Sequence, residues 1–196
     1  MSEQIGASEH AINLNEVLTL QDVTVREGTV LRPMQNSDAT GVLQILEADP
    51  SIRKRVTVAS RMHNEEDVKR EVAAYQNEGD HIRYIIHENG TCVGLVSLWR
   101  DSGFFGQEAK PHAYGFGYFL DPTARGRGLI TDSIRTLMNV SQACLRIDTF
   151  MAFCEDDNTE SIAVLKKLGF MPTENTFSEP AAGWTERLYE KEATNA

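Results

Sequence analysis

Residues 118–134, YFLDPTARGRGLITDSI, contain three patterns that together decide the fold. An apolar run typical of a strand ends at Asp121-Pro122, and a proline cannot donate to a β-ladder. Two glycines then alternate with two arginines, and an amphipathic helix pattern begins directly afterwards. The stretch therefore predicts a strand, a glycine-rich turn and the N-terminus of a helix.

The predicted helix N-terminus has the properties of an anion site. Gly126 and Gly128 lack Cβ atoms, so a ligand can approach the backbone closely. The N–H groups of a first helical turn have no intrahelical acceptor, and the helix dipole adds positive potential. Arg125 and Arg127 supply charge, and Thr131 places a hydroxyl one turn into the helix. Such a site favours a diphosphate.

Several phosphate-binding motifs place glycines before a helix. A P-loop requires G-x-x-x-x-G-K-[ST], and that spacing is absent. A dinucleotide fingerprint requires a third glycine where Thr131 stands, and Asp148, at about the right distance, begins its strand instead of ending it. On these residues alone, a dinucleotide site, another diphosphate loop and a turn with solvated arginines all stay open.

The rest of the chain alternates short apolar strands with amphipathic helices. Asn89-Gly90, between two β-branched and aromatic runs, is the strongest hairpin signal in the sequence. Residues 64–79, NEEDVKREVAAYQNEG, predict a helix capped by Asn64 and ended by Gly79. Residues 171–192 suggest a final hairpin. We therefore expect an α+β fold, a mixed and mostly antiparallel central sheet with helices on both faces.

Length and composition indicate one domain. The chain has 196 residues, enough for a substantial core, and no linker divides it. Residues 1–20 are polar and aperiodic, which predicts a loosely ordered extension before a single domain at 21–196. The sequence shows neither a membrane-spanning run nor the basic and apolar regions of a signal peptide, so we expect a cytoplasmic protein. We also expect it to be a monomer or a homodimer.

The charge and the cysteines narrow the classes of partner. A net charge of −10 weighs against a nucleic-acid partner, because such proteins neutralise phosphates with Lys and Arg. The same charge favours the approach of cationic molecules such as polyamines, aminoglycosides or basic polypeptides, and it also keeps a surface solvated. Cys92, Cys144 and Cys154 form no C-x-x-C pair, and the histidines lack H-E-x-x-H spacing. We therefore expect neither a disulfide framework nor a metal site.

Two motifs in the second half of the chain carry a family resemblance. RGRGLI, residues 125–130, resembles the acetyl-CoA pyrophosphate loop, Q/R-x-x-G-x-G/A, of the GCN5-related N-acetyltransferases, the GNAT superfamily. EDDNTESIAVLKKLGF, residues 155–170, resembles the later motif N-x-x-[SA]…K-x-G-F of the same family. One strand and one helix separate the two motifs, as is usual there, and the resemblance covers most of residues 29 to 190.

The resemblance implies a GNAT fold and an enzyme that moves an acetyl group from acetyl-CoA directly to a primary amine. GYFLDPTARGRG and CEDDNTES look most like the branch that acetylates the N-terminal amines of ribosomal proteins. Similar sequences act on polyamines or aminoglycosides, so a small amine is an alternative acceptor. A non-catalytic relative that keeps only the acyl-CoA cleft is a further alternative.

The resemblance also implies which residues bind the cofactor. The strand would pair with the pantetheine arm, a backbone N–H near Leu120 would polarise the thioester carbonyl, and the glycine-rich turn would hold the diphosphate. Ile130 stands where the family has a small residue. The eleven implied positions are Phe119, Leu120, Arg125, Gly126, Arg127, Gly128, Leu129, Ile130, Thr131, Asn158 and Ser161.

The catalytic residues follow less directly from the resemblance. Many relatives use a tyrosine at the position of Leu165 as the general acid, so Ser161, used in the ribosomal-protein branch, is predicted to take that role. Gly115 stands where relatives often carry a glutamate base. Glu78, with Asp80 and His81, and His112, with Tyr114, are the predicted alternatives for the base. Cys154 matches a cysteine found near the thioester, and Trp184 is a candidate acceptor wall.

Overall fold

The structure is a computed structural model that describes residues 14, 18, 22–103, 108–179 and 183–194. The side chains of Glu78 and Glu179 lie outside this description. One sheet with helices on both faces accounts for most of the described chain.

Eight strands form the sheet, in the order β1-β2-β3-β4-β5-β6-β8-β7. All neighbouring pairs are antiparallel except β5 and β6, which run parallel. The predicted mixed, mostly antiparallel sheet is therefore confirmed. The strands are β1 (Val23–Arg26), β2 (Thr29–Pro33), β3 (His81–Glu88), β4 (Thr91–Arg100), β5 (Ala113–Leu120), β6 (Thr149–Glu155), β7 (Met171–Glu179) and β8 (Trp184–Glu192).

Within the described ranges, five α-helices with defined bounds connect the strands. In the ranges that the structure describes, none has the length and apolar character needed to cross a membrane. The helices are α1 (Ala39–Ala48), α2 (Ile52–Arg55), α3 (Glu65–Glu78), α4 (Leu129–Cys144) and α5 (Thr159–Leu168), with short 3-10 turns at Asn36–Asp38, Ala59–Arg61 and Pro122–Ala124.

The two faces of the sheet bury separate apolar clusters. Side chains of α4 and α5, such as Leu137 and Leu165, pack with alternate residues of β5, Phe116 among them, on one face. Side chains of α1 to α3 pack on the other face, where Phe119 belongs to their cluster. Because strand side chains alternate, β5 contributes to both clusters, and helices cover both faces as expected.

Local signals set the ends of several elements. The Asn64 side chain accepts a hydrogen bond from Asp67 N at 3.0 Å and caps α3, and Gly79 ends that helix with a φ of 75°. Asn89 and Gly90 take φ values of 50° and 80° between β3 and β4. The predicted helix limits and hairpin are both confirmed.

Two residues of the predicted N-terminal extension belong to the core. Leu14 and Leu18 are buried, and Leu14 N donates to Gly79 O at 2.7 Å. The hydroxyl of Tyr84 donates to Leu18 O. These two positions are therefore fixed against β3 and the end of α3, while the other residues of 1–20 lie outside the described part of the chain.

Candidate active site

A cavity opens where β5 and β6 separate. These strands pair only from Ala113 to Gly115, so the edge of residues 116–120 that faces β6 has no strand partner among the described residues. This free edge is about 16 Å long at ~3.3 Å per residue. The cavity holds about 350 Å³ and is bounded by β5, the turn before α4, α5 and the segment around α2. It contains every predicted cofactor residue except Arg127.

The turn before α4 presents unpaired backbone amides to this cavity. The first helical hydrogen bond is donated by Asp132 N to Gly128 O, at 3.0 Å. No described residue accepts a hydrogen bond from the six N–H groups of residues 126–131. Aligned N–H groups without intrahelical acceptors at a helix N-terminus favour an anion.

The two glycines leave room for that anion. Gly126 and Gly128 have φ values of 75° and 77°, a conformation that side chains with a Cβ rarely adopt. A Cβ added at Gly126 would meet nothing within 4 Å, and one added at Gly128 would meet only Asp132 Oδ2 at 3.9 Å. The backbone is therefore open to a ligand on the cavity side.

Arg125 lines the cavity, but its guanidinium is bound to protein oxygens. Its Nη2 lies 2.6 Å from Asp49 Oδ2 and 3.1 Å from Leu120 O, and its Nη1 lies 4.0 Å from Glu160. The Ser51 hydroxyl and then Arg125 lower the pKa of Asp49, so this carboxylate stays ionised. Arg125 therefore ties the end of β5 to the segment before α2.

Arg127 points away from the cavity. Its guanidinium makes two hydrogen bonds with Glu88, at 3.0 and 2.8 Å, and so lowers the pKa of that carboxyl group. Arg26 joins the same cluster 3.6 Å from Glu88. The structure therefore separates the Arg127 side chain from the other predicted phosphate ligands, because Glu88 at the end of β3 holds it.

The N-terminus of α5 forms the opposite wall. Asn158 caps the helix, and its Oδ1 accepts from Ser161 N at 3.2 Å. Ser161 lines the cavity beside Tyr118, whose hydroxyl donates to Ser161 O at 3.5 Å. Burial raises the pKa of Tyr118, which keeps its hydroxyl protonated. The Tyr118 hydroxyl of the β5 wall therefore lies beside the backbone of Ser161 on the α5 wall.

Leu165 and Cys154 lie behind this wall. Leu165 is 2 % exposed and belongs to the core that contains α4. Cys154 is buried, its Sγ donates to Glu155 O at 3.4 Å, and burial raises the pKa of its thiol to about 12. This thiol stays protonated at neutral pH and acts as a small apolar side chain.

None of the predicted bases whose side chain is described lines the cavity. His112 precedes Ala113 at the opposite end of β5 from the glycine-rich turn, about 20 Å from Tyr118 at six residues of ~3.3 Å. Asp80 and His81 contact each other at 2.6 Å at the start of β3. Glu78 is the last residue of α3, and its side chain lies outside the described part of the chain.

The indole of Trp99 covers Gly115, the position where relatives often carry a glutamate base. Trp99 of β4 is the cross-strand partner of Gly115, and a Cβ at Gly115 would lie 2.3 Å from its ring. A Cβ at Gly117 would lie 3.2 Å from the same ring. The indole therefore crosses β5 on the face that carries α1 to α3, and glycine is the residue that fits beneath it.

Sequence reasoning missed three contributions to the cavity. Asp49 and Arg55 come from the segment around α2, and their spacing from the glycine-rich turn carries no signal. Tyr118 lies within residues 118–134, but the sequence does not show which face of β5 packs against α5, and so it does not show that the Tyr118 side chain reaches Ser161. Lys167 shares the spacing i, i+3, i+4 and i+7 with Glu160, Ala163 and Val164, three residues that the resemblance did not point to.

These residues fit the diphosphate and the amide-bearing arm of acetyl-CoA. Six open amides at a helix N-terminus suit the diphosphate, and the free edge of β5 can pair with the pantetheine amides as an added strand does. The sequence matches the Acetyltransferase (GNAT) domain family over residues 29–171. The chain belongs to the GNAT acetyltransferase family. It is an acetyl-CoA-dependent N-acetyltransferase, and the predicted family, fold and cofactor are confirmed.

Solved structures share the fold of this GNAT enzyme at low sequence identity. RimL, described as the ribosomal L7/L12 alpha-N-protein acetyltransferase in complex with coenzyme A, is 19% identical with a TM-score of 0.73, covering 88% of this chain and 98% of that one. The Microcin C7 self immunity acetyltransferase MccE in complex with acetyl-CoA and AMP is 21% identical with a TM-score of 0.71, covering 90% and 99%.

A third structure, the ribosomal-protein-S5-alanine acetyltransferase from Vibrio fischeri, is 17% identical with a TM-score of 0.71, and the match covers 89% of this chain and 97% of that one. No curated protein matches the sequence. The three structures support the fold, whereas the acceptor of this GNAT enzyme has to be argued from its own residues.

Two carboxyl groups face each other across the β6–β8 pair. Glu155 of β6 and Glu186 of β8 are cross-strand partners, and Arg55 lies 3.4 Å from Glu155. Burial, followed by repulsion from Glu155, raises the pKa of Glu186 from its ordinary 4.5 to about 7. Glu186 therefore gains a proton on folding between those two values, and folding becomes less favourable as the pH rises through this range.

Glu186→Gln is expected to stabilise this GNAT enzyme at about pH 8 by roughly 1 to 2 kcal/mol, because the amide removes the buried charge. The gain should shrink toward zero near pH 4, where Glu186 is protonated in both the folded and the unfolded chain. Urea unfolding at both pH values measures the difference. An equal effect of the substitution at the two pH values would contradict the raised pKa.

Proposed function

We propose that this GNAT enzyme acetylates the N-terminal α-amine of a protein, as the ribosomal-protein branch does. The observation that carries the proposal is that none of the predicted bases whose side chain is described lines the cavity. An α-amine is the class of acceptor that loses its proton most readily without such a base.

The descriptions of the similar structures support this choice. One names an acetyl transferase that modifies the N-terminal serine of ribosomal protein L7/L12, and another names a ribosomal-protein-S5-alanine acetyltransferase. MccE, a self immunity acetyltransferase, shares the same fold, so the fold alone does not select the acceptor. The lack of a described base in the cavity and the branch resemblance point to the same acceptor class.

The chain's own residues would bind, orient and donate protons. The amides of residues 126–131 would hold the diphosphate, and the free edge of β5 from residue 116 to 120 would align the arm. Acetyl-CoA supplies the acetyl thioester. A backbone N–H near Leu120 would polarise the carbonyl, and the Ser161 hydroxyl would donate a proton toward the departing sulfur. Tyr118 adds a second protonated hydroxyl from the β5 wall.

An α-amine reduces the need for a strong base. Its ordinary pKa is about 7.7 to 8.0, against about 10.4 for lysine, so much of it is neutral near pH 8 without help. None of the predicted bases whose side chain is described lines the cavity. An enzyme of this geometry therefore suits α-amines better than lysine side chains or polyamines.

The acceptor class is tested with purified enzyme, acetyl-CoA and four kinds of amine. These are peptides that begin with serine or alanine, the same peptides with a blocked N-terminus and an internal lysine, spermidine, and an aminoglycoside. We expect thiol release and a mass increase of one acetyl group only with free N-termini, with a rate that rises through pH 8 and levels off about one pH unit above the α-amine pKa.

Each other outcome has a defined meaning. Acetylation of spermidine or the aminoglycoside with inert peptides would replace the proposal with a small-amine acceptor. Tight coenzyme A binding with no turnover on any amine would indicate a non-catalytic relative.

We further propose a cytoplasmic location, which the unbridged Cys92, Cys144 and Cys154 support because disulfides are rare there. A monomer or homodimer remains the expected assembly.

A further inference from the structure

The outer side of the glycine-rich turn is bound by residues from the far edge of the sheet. Arg26, the last residue of β1, donates from Nη1 to Arg127 O at 3.3 Å and to Asp132 Oδ2 at 3.4 Å. Its Nη2 lies 3.6 Å from Glu88, the carboxylate that also holds the Arg127 guanidinium. The turn before α4 is therefore attached to β1 and to the end of β3.

The contact at Arg127 O determines the direction of one amide of the diphosphate site. The Arg127–Gly128 peptide bond is trans, and in a trans peptide the C=O and the N–H point in opposite directions. The carbonyl of Arg127 points at Arg26, which does not line the cavity, whereas Gly128 does. The Gly128 N–H therefore points away from Arg26, toward the side on which a ligand binds.

Glycine leaves this peptide plane free to turn. Gly128 adopts a φ of 77°, but a glycine takes positive and negative φ about equally readily, so steric contacts alone do not fix the plane. The hydrogen bond from Arg26 favours the observed orientation. Without it, the turn would have to be ordered when the ligand binds, and that ordering lowers affinity.

Arg26 also compensates the carboxylate nearest to the glycine-rich turn. Asp132 lies in the first turn of α4, and its Oδ2 would lie 3.9 Å from a Cβ at Gly128. Arg26 contacts this oxygen, and Arg135 binds the other carboxylate oxygen at 3.0 Å. Because like charges repel, an uncompensated carboxylate at this place would oppose the binding of a diphosphate.

We propose that Arg26 is a positioning residue for the cofactor, which binds Arg127 O and Asp132 and so holds the Gly128 amide toward the coenzyme A diphosphate before the ligand binds. The proposal rests on the proposed diphosphate site at residues 126–131 and is independent of the amine acceptor. Since Arg26 does not line the cavity, it acts through the turn and makes no contact with the ligand.

The test is titration of the intact chain with coenzyme A and with pantetheine, which keeps the arm and lacks the diphosphate. We expect Arg26→Ala to bind coenzyme A about 5-fold more weakly, as for the loss of one hydrogen bond, and to bind pantetheine like the wild type. The loss should persist in about 1 M salt, which screens charges beyond about 3 Å. Arg26→Lys keeps a donor for Arg127 O and should bind coenzyme A within about 2-fold of the wild type.

Arg70→Ala is the matched control. It removes the same charge from an exposed arginine of α3 that pairs with Asp67 at 3.2 Å and does not line the cavity, so coenzyme A affinity should not change. Four results would each overturn the proposal: unchanged coenzyme A binding in Arg26→Ala, equal weakening of pantetheine, disappearance of the loss in high salt, or an Arg26→Lys variant as weak as Arg26→Ala.

A comparison with Gly128→Val separates this proposal from the diphosphate site on which it rests. If Gly128→Val weakens coenzyme A and Arg26→Ala does not, the site stands and the positioning role is wrong. If neither substitution weakens it, the site itself is wrong. Peptide acetylation is measured separately, so a wrong acceptor class would leave both binding results intact.

Discussion

Gly128→Val is expected to reduce the affinity for coenzyme A on the order of 100-fold, equivalent to about 3 kcal/mol. Two physical effects combine at this residue. A β-branched residue at a φ of 77° is strained by about 1 to 3 kcal/mol, which distorts the first turn of α4. The valine side chain would also enter the cavity beside the amides that face the diphosphate. Calorimetric titration with coenzyme A measures the loss.

Gly90→Val separates backbone strain from loss of the ligand site. Gly90 has a φ of 80°, and an added Cβ there meets nothing within 4 Å, as at Gly126, but it lies in the β3–β4 turn outside the cavity. We expect Gly90→Val to lose stability and to keep its affinity for coenzyme A. Gly128→Ala is the milder variant if Gly128→Val does not fold. Unchanged coenzyme A binding in a folded Gly128 variant would refute the proposed diphosphate site.

Ser161→Ala is expected to reduce kcat about 10- to 100-fold, with little change in coenzyme A affinity. A general acid typically contributes at least about 100-fold, but a thiol of pKa about 8.5 is already a fair leaving group, so the loss falls at or below that value. The hydrogen bond that caps α5 is donated by the backbone N–H of Ser161, which alanine retains. Steady-state kinetics and titration of the same sample measure both quantities.

Thr159→Ala is the control for this substitution. Thr159 lies in the same first turn of α5, is exposed and does not line the cavity. Its removal tests whether any hydroxyl near the helix N-terminus affects turnover. Full turnover in Ser161→Ala would transfer the proton-donor role to another group, of which the Tyr118 hydroxyl is the neighbouring candidate.

The fold could be predicted because its signals are local. Asn89-Gly90 specifies a turn with positive φ at both residues, and Gly79 ends α3 in the left-handed conformation. The glycine-rich turn works in the same way, since positive φ at Gly126 and Gly128 turns the backbone amides toward the cavity. Each of these features depends on a few adjacent residues, so a single sequence contains it.

The site was less predictable because its side chains meet across long stretches of chain. Arg125 binds Asp49, 76 positions away, and Arg127 binds Glu88, 39 positions away, so the roles of both arginines depend on tertiary contacts. His112 adjoins β5 in sequence, but the extended strand carries it far from the glycine-rich turn. The sequence therefore predicted the backbone of the site better than it predicted which charged side chains reach the cavity.

The indole that covers Gly115 makes two positions interdependent. Glutamate at position 115 would collide with Trp99, whereas truncation of the half-buried Trp99 alone would remove the ring that covers β5 and supply no base. Neither substitution improves the protein by itself, so selection of one substitution at a time does not lead to a glutamate base at position 115 of β5. A library that varies one position at a time would record only losses, and engineers who want such a base need to randomise both codons together.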